Sequence, residues 1–203
     1  MKNNTPRLLN AVAIAASALI FIALFFCCAL AQKPQRQDLD EVADASAAVW
    51  KEFSSKEGGF SVQFPGAPTQ SSQQMGDFTL KLFQLHTAFE YSVMYADYPS
   101  WANDEDPALA KKILDDGLAG AVAEVKSKLL EVEEISLQKH PGRQYTERMP
   151  NGNILRGKTF LAGNRLYQIA ITTPKEEGKI PEAIQFYQVT ANKFLGSFRL
   201  IAQ

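Results

Sequence analysis

The alternation of apolar and polar positions changes period several times along the chain, and the periods predict the elements. Phe60-Ser61-Val62-Gln63-Phe64 alternates strictly between Gly58-Gly59 and Pro65-Gly66. This predicts a strand with Phe60, Val62 and Phe64 on one buried face. Phe78–Leu82 and Tyr91–Tyr95 alternate in the same way, while the Gln- and Ser-rich residues 67–76 read as a loop or an edge strand. The stretch from Asp97 to Asp106 reads as a connection. Asp106-Pro107 then supplies an N-cap and a proline for the first helical position. Behind it, Leu114, Leu118, Ala121, Val125 and Leu129 recur at helical spacing. Gly117, Gly120 and Ala121 thin that helix on one side. Each glycine costs about 1 kcal/mol of helical propensity, so packing on a sheet must compensate.

After Ile135-Ser136-Leu137, His140-Pro141-Gly142 reads as a turn, and two hairpins follow. Arg143–Met149 and Ile154–Leu161 are joined by Pro150-Asn151-Gly152-Asn153. The second strand returns into Arg165–Thr172 through Gly163-Asn164, where glycine accepts a positive φ. Pro181 opens a second helix with Ile184, Tyr187, Ala191, Phe194 and Leu195 on one face. That helix ends near Gly196, and Phe198–Ile201 is free to pair or dock at a sheet edge. Strands, helix, strands, helix, with hairpins dominating, predicts an α+β fold: a mostly antiparallel β-sheet flanked by helices. A parallel nucleotide-binding sheet is disfavoured, because no Gly-rich phosphate loop follows a strand.

The first 31 residues are a different kind of sequence. Lys2 and Arg7 are the only charges before Lys33, and Ala11–Ala31 is apolar apart from Ser17. A basic start before a long apolar stretch predicts a hydrophobic targeting helix. Two readings stand open. In one, Ala29-Leu30-Ala31 is a cleavage site cut between Ala31 and Gln32, as in an exported signal peptide. In the other, residues 8–31 stay in the membrane as an anchor, since about 20 apolar residues span a bilayer. Both place the remainder outside the cytoplasm, periplasmic, secreted or anchored at the outer side of the cytoplasmic membrane. A lipoprotein reading of Cys27 or Cys28 is disfavoured, because the preceding residue, Phe26 or Cys27, is not small. The expected division is residues 1–31 as signal peptide or anchor, 32–49 as a polar tether with a short helix through Val49 and Trp50, and 50–203 as the α+β domain.

Composition narrows the function classes. The chain has 203 residues, 21 basic and 22 acidic. Without residues 1–31 it carries 19 basic and 22 acidic side chains and no cysteine. A mildly acidic domain argues against nucleic-acid binding through a broad basic field. The absence of cysteine excludes disulfides, thiol nucleophiles and thiolate metal sites from the exported part. Its two histidines, His86 and His140, lack a chelating partner at helical spacing, and zinc needs three or four ligands. Asn103-Asp104-Glu105-Asp106 lacks the ligand series of a calcium loop and reads as helix capping. The adjacent pairs Asp115-Asp116 and Glu133-Glu134 read as solvated. No Gly-x-Ser-x-Gly elbow occurs. No catalytic residue, metal or cofactor is expected, and the chain does not read as an enzyme. One polar arrangement stands out. In the register the turns suggest, Arg143, Tyr145, Glu147, Arg156, Lys158, Arg165 and Tyr167 share one sheet face, with Glu147 opposite Arg156. That set reads as a solvated face with stabilising cross-strand charges or as a cationic-aromatic surface for an anionic ligand or partner protein.

The phrases Gly59-Phe60-Ser61-Val62-Gln63-Phe64-Pro65-Gly66, His140-Pro141-Gly142-Arg143, Gly163-Asn164-Arg165-Leu166-Tyr167-Gln168 and Phe194-Leu195-Gly196-Ser197-Phe198-Arg199-Leu200 resemble phrases of uncharacterised bacterial exported proteins. Over most of residues 50–201 the order of elements resembles the PsbP-like fold, an antiparallel sheet flanked by helices known from extrinsic photosystem subunits and a nuclear transport factor. The resemblance implies a non-enzymatic accessory role through protein contacts. It carries over no binding residue and no photosynthetic role. Three functions therefore compete: an exported or membrane-anchored interaction module with an envelope protein partner, a small-ligand or lipid-binding protein with a pocket under the glycine-thinned helix, and a hydrolase built on His86 or His140.

Overall fold

Ten strands and two helices follow one another across the residues described in the computed structural model, 48–75 and 78–201. Strands β1 (Lys51–Ser55), β2 (Phe60–Phe64) and β10 (Arg199–Leu200) make a small antiparallel sheet in the order β1-β2-β10. A larger antiparallel sheet holds β3 (Thr69–Met75), β4 (Phe78–His86), β5 (Glu90–Asp97), β6 (Lys128–Leu137), β7 (His140–Arg148), β8 (Ile154–Ala162) and β9 (Arg165–Thr173), in the order β3-β4-β5-β9-β8-β7-β6. Helix α1 (Pro107–Val125) packs on one face of this sheet. Helix α2 (Pro181–Ser197) and the small sheet pack on the other.

The alternation in β2 does what its period predicts. Phe60, Val62 and Phe64 are all buried, in a cluster with Phe83, Tyr91, Tyr95, Tyr187 and Phe194. Burying an aromatic side chain contributes roughly 1.5–3 kcal/mol, so this cluster of rings is the principal store of stability in a domain without disulfides. Phe198, after α2, stacks on Phe60 and Phe160, which fixes the C-terminal β10 against β2. Before β1, Trp50 meets Tyr91 edge to face at 5.8 Å, and Lys193 of α2 lies 4.4 Å over the Trp50 ring.

Helix α1 starts where the sequence indicated. The Asp106 carboxylate accepts from the Ala108 and Leu109 amides, and Pro107 occupies the first turn. The stripe from Leu114 to Leu129 is shorter than its period suggested: Lys126 turns left-handed at φ 55° and ends the helix, so Leu129 lies in β6. Two other expectations need correction. Val49 and Trp50 are not helical but lead directly into β1. The turn before β7 is Gln138-Lys139, both at positive φ, so His140-Pro141-Gly142 are strand residues paired with Leu137, Ser136 and Ile135.

Candidate functional site

The expected seven-residue face divides between the two sides of the large sheet. The connection from β7 to β8 uses five residues, because the Met149 amide donates to the Asn153 carbonyl and Met149 leaves the strand. Tyr145 is therefore paired with Gly157, Glu147 with Leu155, and Arg156 with Thr146. The expected Glu147–Arg156 pair is out of register by one residue, which moves a whole set of side chains to the opposite face. Arg143, Tyr145 and Glu147 point towards α1. Arg156, Lys158 and Tyr167 lie on the α2 side, in register with one another through Ile171, Ile169 and Phe160, and Arg165 belongs to the same alternation.

On the α1 side the three polar residues are nearly inaccessible. Arg143 donates from Nε to Asp115 of α1 at 2.7 Å and from Nη1 to the Gly142 carbonyl at 2.9 Å. Its Nη2 makes no hydrogen bond but lies 3.5 Å from Glu134. Burial raises the Asp115 pKa, but hydrogen bonds from Arg143 and Lys111 oppose it and hold the carboxyl below its ordinary value. Asp115 is thus not one of a pair of idle surface acids; it secures α1 to β7. Tyr145 lies over Gly157, and its hydroxyl accepts from Gln168 Nε2. Glu147 is held by Ser127 Oγ at 2.6 Å, and burial raises its pKa against that hydrogen bond. Gln168 Oε1 and Thr172 Oγ1, on the same face of β9, are buried without a hydrogen-bond partner.

On the α2 side two of the three cations, Arg156 and Arg165, are engaged by the scaffold. Arg165 grips Asp97 through Nε at 2.5 Å and Nη2 at 2.8 Å, donates Nη1 to the Glu57 carbonyl, and lies 4.7 Å over the Tyr95 ring. Tyr167 donates its hydroxyl to the Gly58 carbonyl at 2.7 Å. Both therefore bolt the β1–β2 turn to the large sheet. Arg156 donates to Glu176 at 2.5 Å. Lys158 is half-buried, and burial, then the nearby Arg199 charge, hold its pKa below the ordinary lysine value.

The histidines lie apart from both sets. His140 Nδ1 is 2.5 Å from Asp104 Oδ2, and Asp104 Oδ1 accepts the Gly163 amide, so the pair ties the loop before α1 to β7 and the β8–β9 turn. An acid does stand beside this histidine, as a hydrolase would require. His86 lies 3.9 Å from Glu90, whose pKa burial pushes up to about 7. Among the described residues no group of three His, Cys, Asp or Glu is placed to hold a metal ion. Ala31 and Gln32, the expected cleavage pair, and the apolar residues 8–31 lie outside the described residues. Within them, no helix is long and apolar enough to cross a membrane.

Periodicity missed the most accessible feature. Strand β6 is ten residues long, ends the large sheet and is exposed along most of its length. Its pattern KLLEVEEISL does not alternate cleanly because the register shifts between Leu129 and Glu131, a bulge that masks the period. Val132 is 48% exposed and Leu130 38%, beside the surface acids Glu131 and Glu133.

Comparison with solved structures places this architecture. No family model matches the chain, and no curated protein matches it in sequence. The solution structure of cyanobacterial PsbP (CyanoP) from Synechocystis sp. PCC 6803 superposes with a TM-score of 0.52 at 10% identity, over 75% of this chain and 93% of that one. The fold is PsbP-like. Two more distant matches are LpqN, involved in cell envelope biogenesis of Mycobacterium tuberculosis (TM-score 0.40, 14% identity, 81% of this chain and 96% of that one), and the protein of unknown function PA94 from Pseudomonas aeruginosa (TM-score 0.35, 14% identity, 70% and 92%). At these identities the likeness concerns the fold. In the PsbP-like domain, Phe60, Tyr167 and Phe198 of the resembling phrases meet one another where the small sheet packs on the large one, beside Phe53, Phe83 and Tyr95.

Proposed function

We propose that this chain is a non-enzymatic accessory module that works outside the cytoplasm by binding another protein. The observation that carries this reading is the open edge of the large sheet: among the described residues β6 has no strand neighbour on its outer side, and it presents two exposed apolar side chains, Leu130 and Val132, at a site where a partner can dock. The basic start and apolar run of residues 1–31 support export or anchoring. Fractionation of the native host followed by mass spectrometry of the N-terminus tests the location. A terminus at Gln32 in soluble extracytoplasmic fractions, or an intact terminus in the membrane, fits the proposal; recovery in the cytoplasm refutes it. Crosslinking in cells followed by affinity purification from solubilised membranes tests the partner. Repeated recovery of no crosslinked protein refutes the binding role.

A second reading, a small-ligand protein, is favoured by one observation. Gln168 Oε1 and Thr172 Oγ1 are buried and unpartnered on the face beneath α1, and such atoms call for a water or a polar ligand. A thermal-shift screen of small polar metabolites with no stabilising hit removes that support.

A further inference from the structure

The proposed binding role has a more specific form at β6. We propose that β6 recruits an extended segment of a partner protein in which basic and apolar side chains alternate, and that the segment extends the seven-stranded sheet by one strand. This inference rests on the reading of the chain as an interaction module.

An edge strand directs alternate N–H and C=O groups away from its neighbour, and an incoming strand satisfies them. Specificity then comes from the side chains that flank the new strand. Register with β7 sorts those of β6. Val132 is opposite Tyr145 and so lies on the α1 side, while Glu131 and Glu133, opposite Thr146 and Gln144, lie on the α2 side. Glu134 returns to the α1 side, where Lys111 binds it at 2.6 Å and Arg143 stands 3.5 Å away, so its charge is already answered. The open acids of the edge are therefore Glu131 and Glu133, two residues apart on one face, with the exposed Val132 between them on the other; the exposed Lys128 lies at the start of the strand, before the bulge. A strand laid along this edge places two side chains beside the glutamates and the intervening one beside Val132. Lysine or arginine at the first two positions and an aliphatic residue at the third complement the edge.

The same arrangement argues against a second copy as occupant. A copy of β6 in the register that sets Glu131 and Glu133 against their counterparts brings glutamates towards glutamates, and like charges in facing positions are destabilising. The opposite edge of the sheet, β3, is TQSSQQM and carries no charge, so the two edges differ in what they attract.

The test uses the full chain in detergent and the fluorescent peptide Lys-Val-Lys-Val-Lys-Val-Lys, with three controls. These are its glutamate counterpart, a version N-methylated at alternate residues, and the Glu131→Lys/Glu133→Lys protein. Anisotropy titrations give affinity, and hydrogen–deuterium exchange locates the contact. The expected result is binding of the lysine peptide that weakens with salt, with slowed exchange confined to β6. The methylated peptide fails to bind, and affinity falls about tenfold or more in the double variant. The variant sites are exposed, so unchanged melting confirms the fold, and the methylated peptide tests strand pairing on the unaltered protein. Equal binding of the glutamate peptide, protection away from β6, or protection of β6 that depends only on protein concentration overturns the proposal. If the double variant still captures the same crosslinked partner from cells, this inference fails while the accessory role stands.

Discussion

Replacing Gly157 by alanine tests the packing of α1 on the sheet most directly. A Cβ at residue 157 would come within 2.4 Å of Tyr145 Cζ and 2.5 Å of its hydroxyl oxygen. Real Cβ contacts do not approach so closely, so the ring must move. Tyr145 is 2% exposed, packs with Leu118, Leu155 and Ala170, and accepts a hydrogen bond from Gln168. Overpacking of a tight core costs about 1–3 kcal/mol. Loss of the hydrogen bond adds about 1 kcal/mol. Against this, alanine lowers unfolded-chain entropy by about 0.4–1 kcal/mol. The balance is a loss of about 2 kcal/mol, read as a fall of the urea midpoint at unchanged slope, or about 4–8 °C in melting temperature. Tryptophan fluorescence from Trp50 and Trp101 follows the transition. In a Tyr145→Ala background the obstructing ring is gone, so the same substitution should become neutral or mildly stabilising. A penalty below about 0.5 kcal/mol in the wild-type background, or an equal penalty in both, refutes the claim that Tyr145 requires glycine beneath it.

Two further outcomes follow from charges held against burial. Glu90 has its folded pKa raised to about 7 by burial, with the exposed His86 3.9 Å away. The native state then binds the extra proton, so this group's contribution is fully present below the unfolded value near 4.5 and is lost as pH rises through 7. Glu90→Gln should match wild type near pH 4 and exceed it by about 1–2 kcal/mol at pH 8; a difference in urea stability independent of pH refutes this. Arg165→Lys removes a two-point grip on Asp97 and the tie to the Glu57 carbonyl. It should cost about 1–2 kcal/mol by denaturant titration and speed amide exchange in the β1–β2 turn; unchanged exchange there refutes the bolting role.

Local sequence determined whatever depends on neighbours within one turn or one strand. The period-two burial of Phe60, Val62 and Phe64, the Asp106 cap with Pro107 behind it, the Gly163 turn at φ 57° and the start of α2 at Pro181 are all of this kind. Each follows from backbone conformation or side-chain direction, which the residue and its near neighbours set. Tertiary structure decided which strands meet and in what register. Alternation along β7 is the same whichever way β8 slides, so only the five-residue Met149–Asn153 connection could turn Arg143 and Tyr145 away from Arg156 and Lys158. Arg143 reads as a surface cation until Asp115, 28 residues earlier, supplies the counter-charge that allows its burial. The bulge at Leu130 likewise concealed the edge strand on which the functional proposal rests. These outcomes depend on groups distant in sequence, and side-chain period carries no record of them.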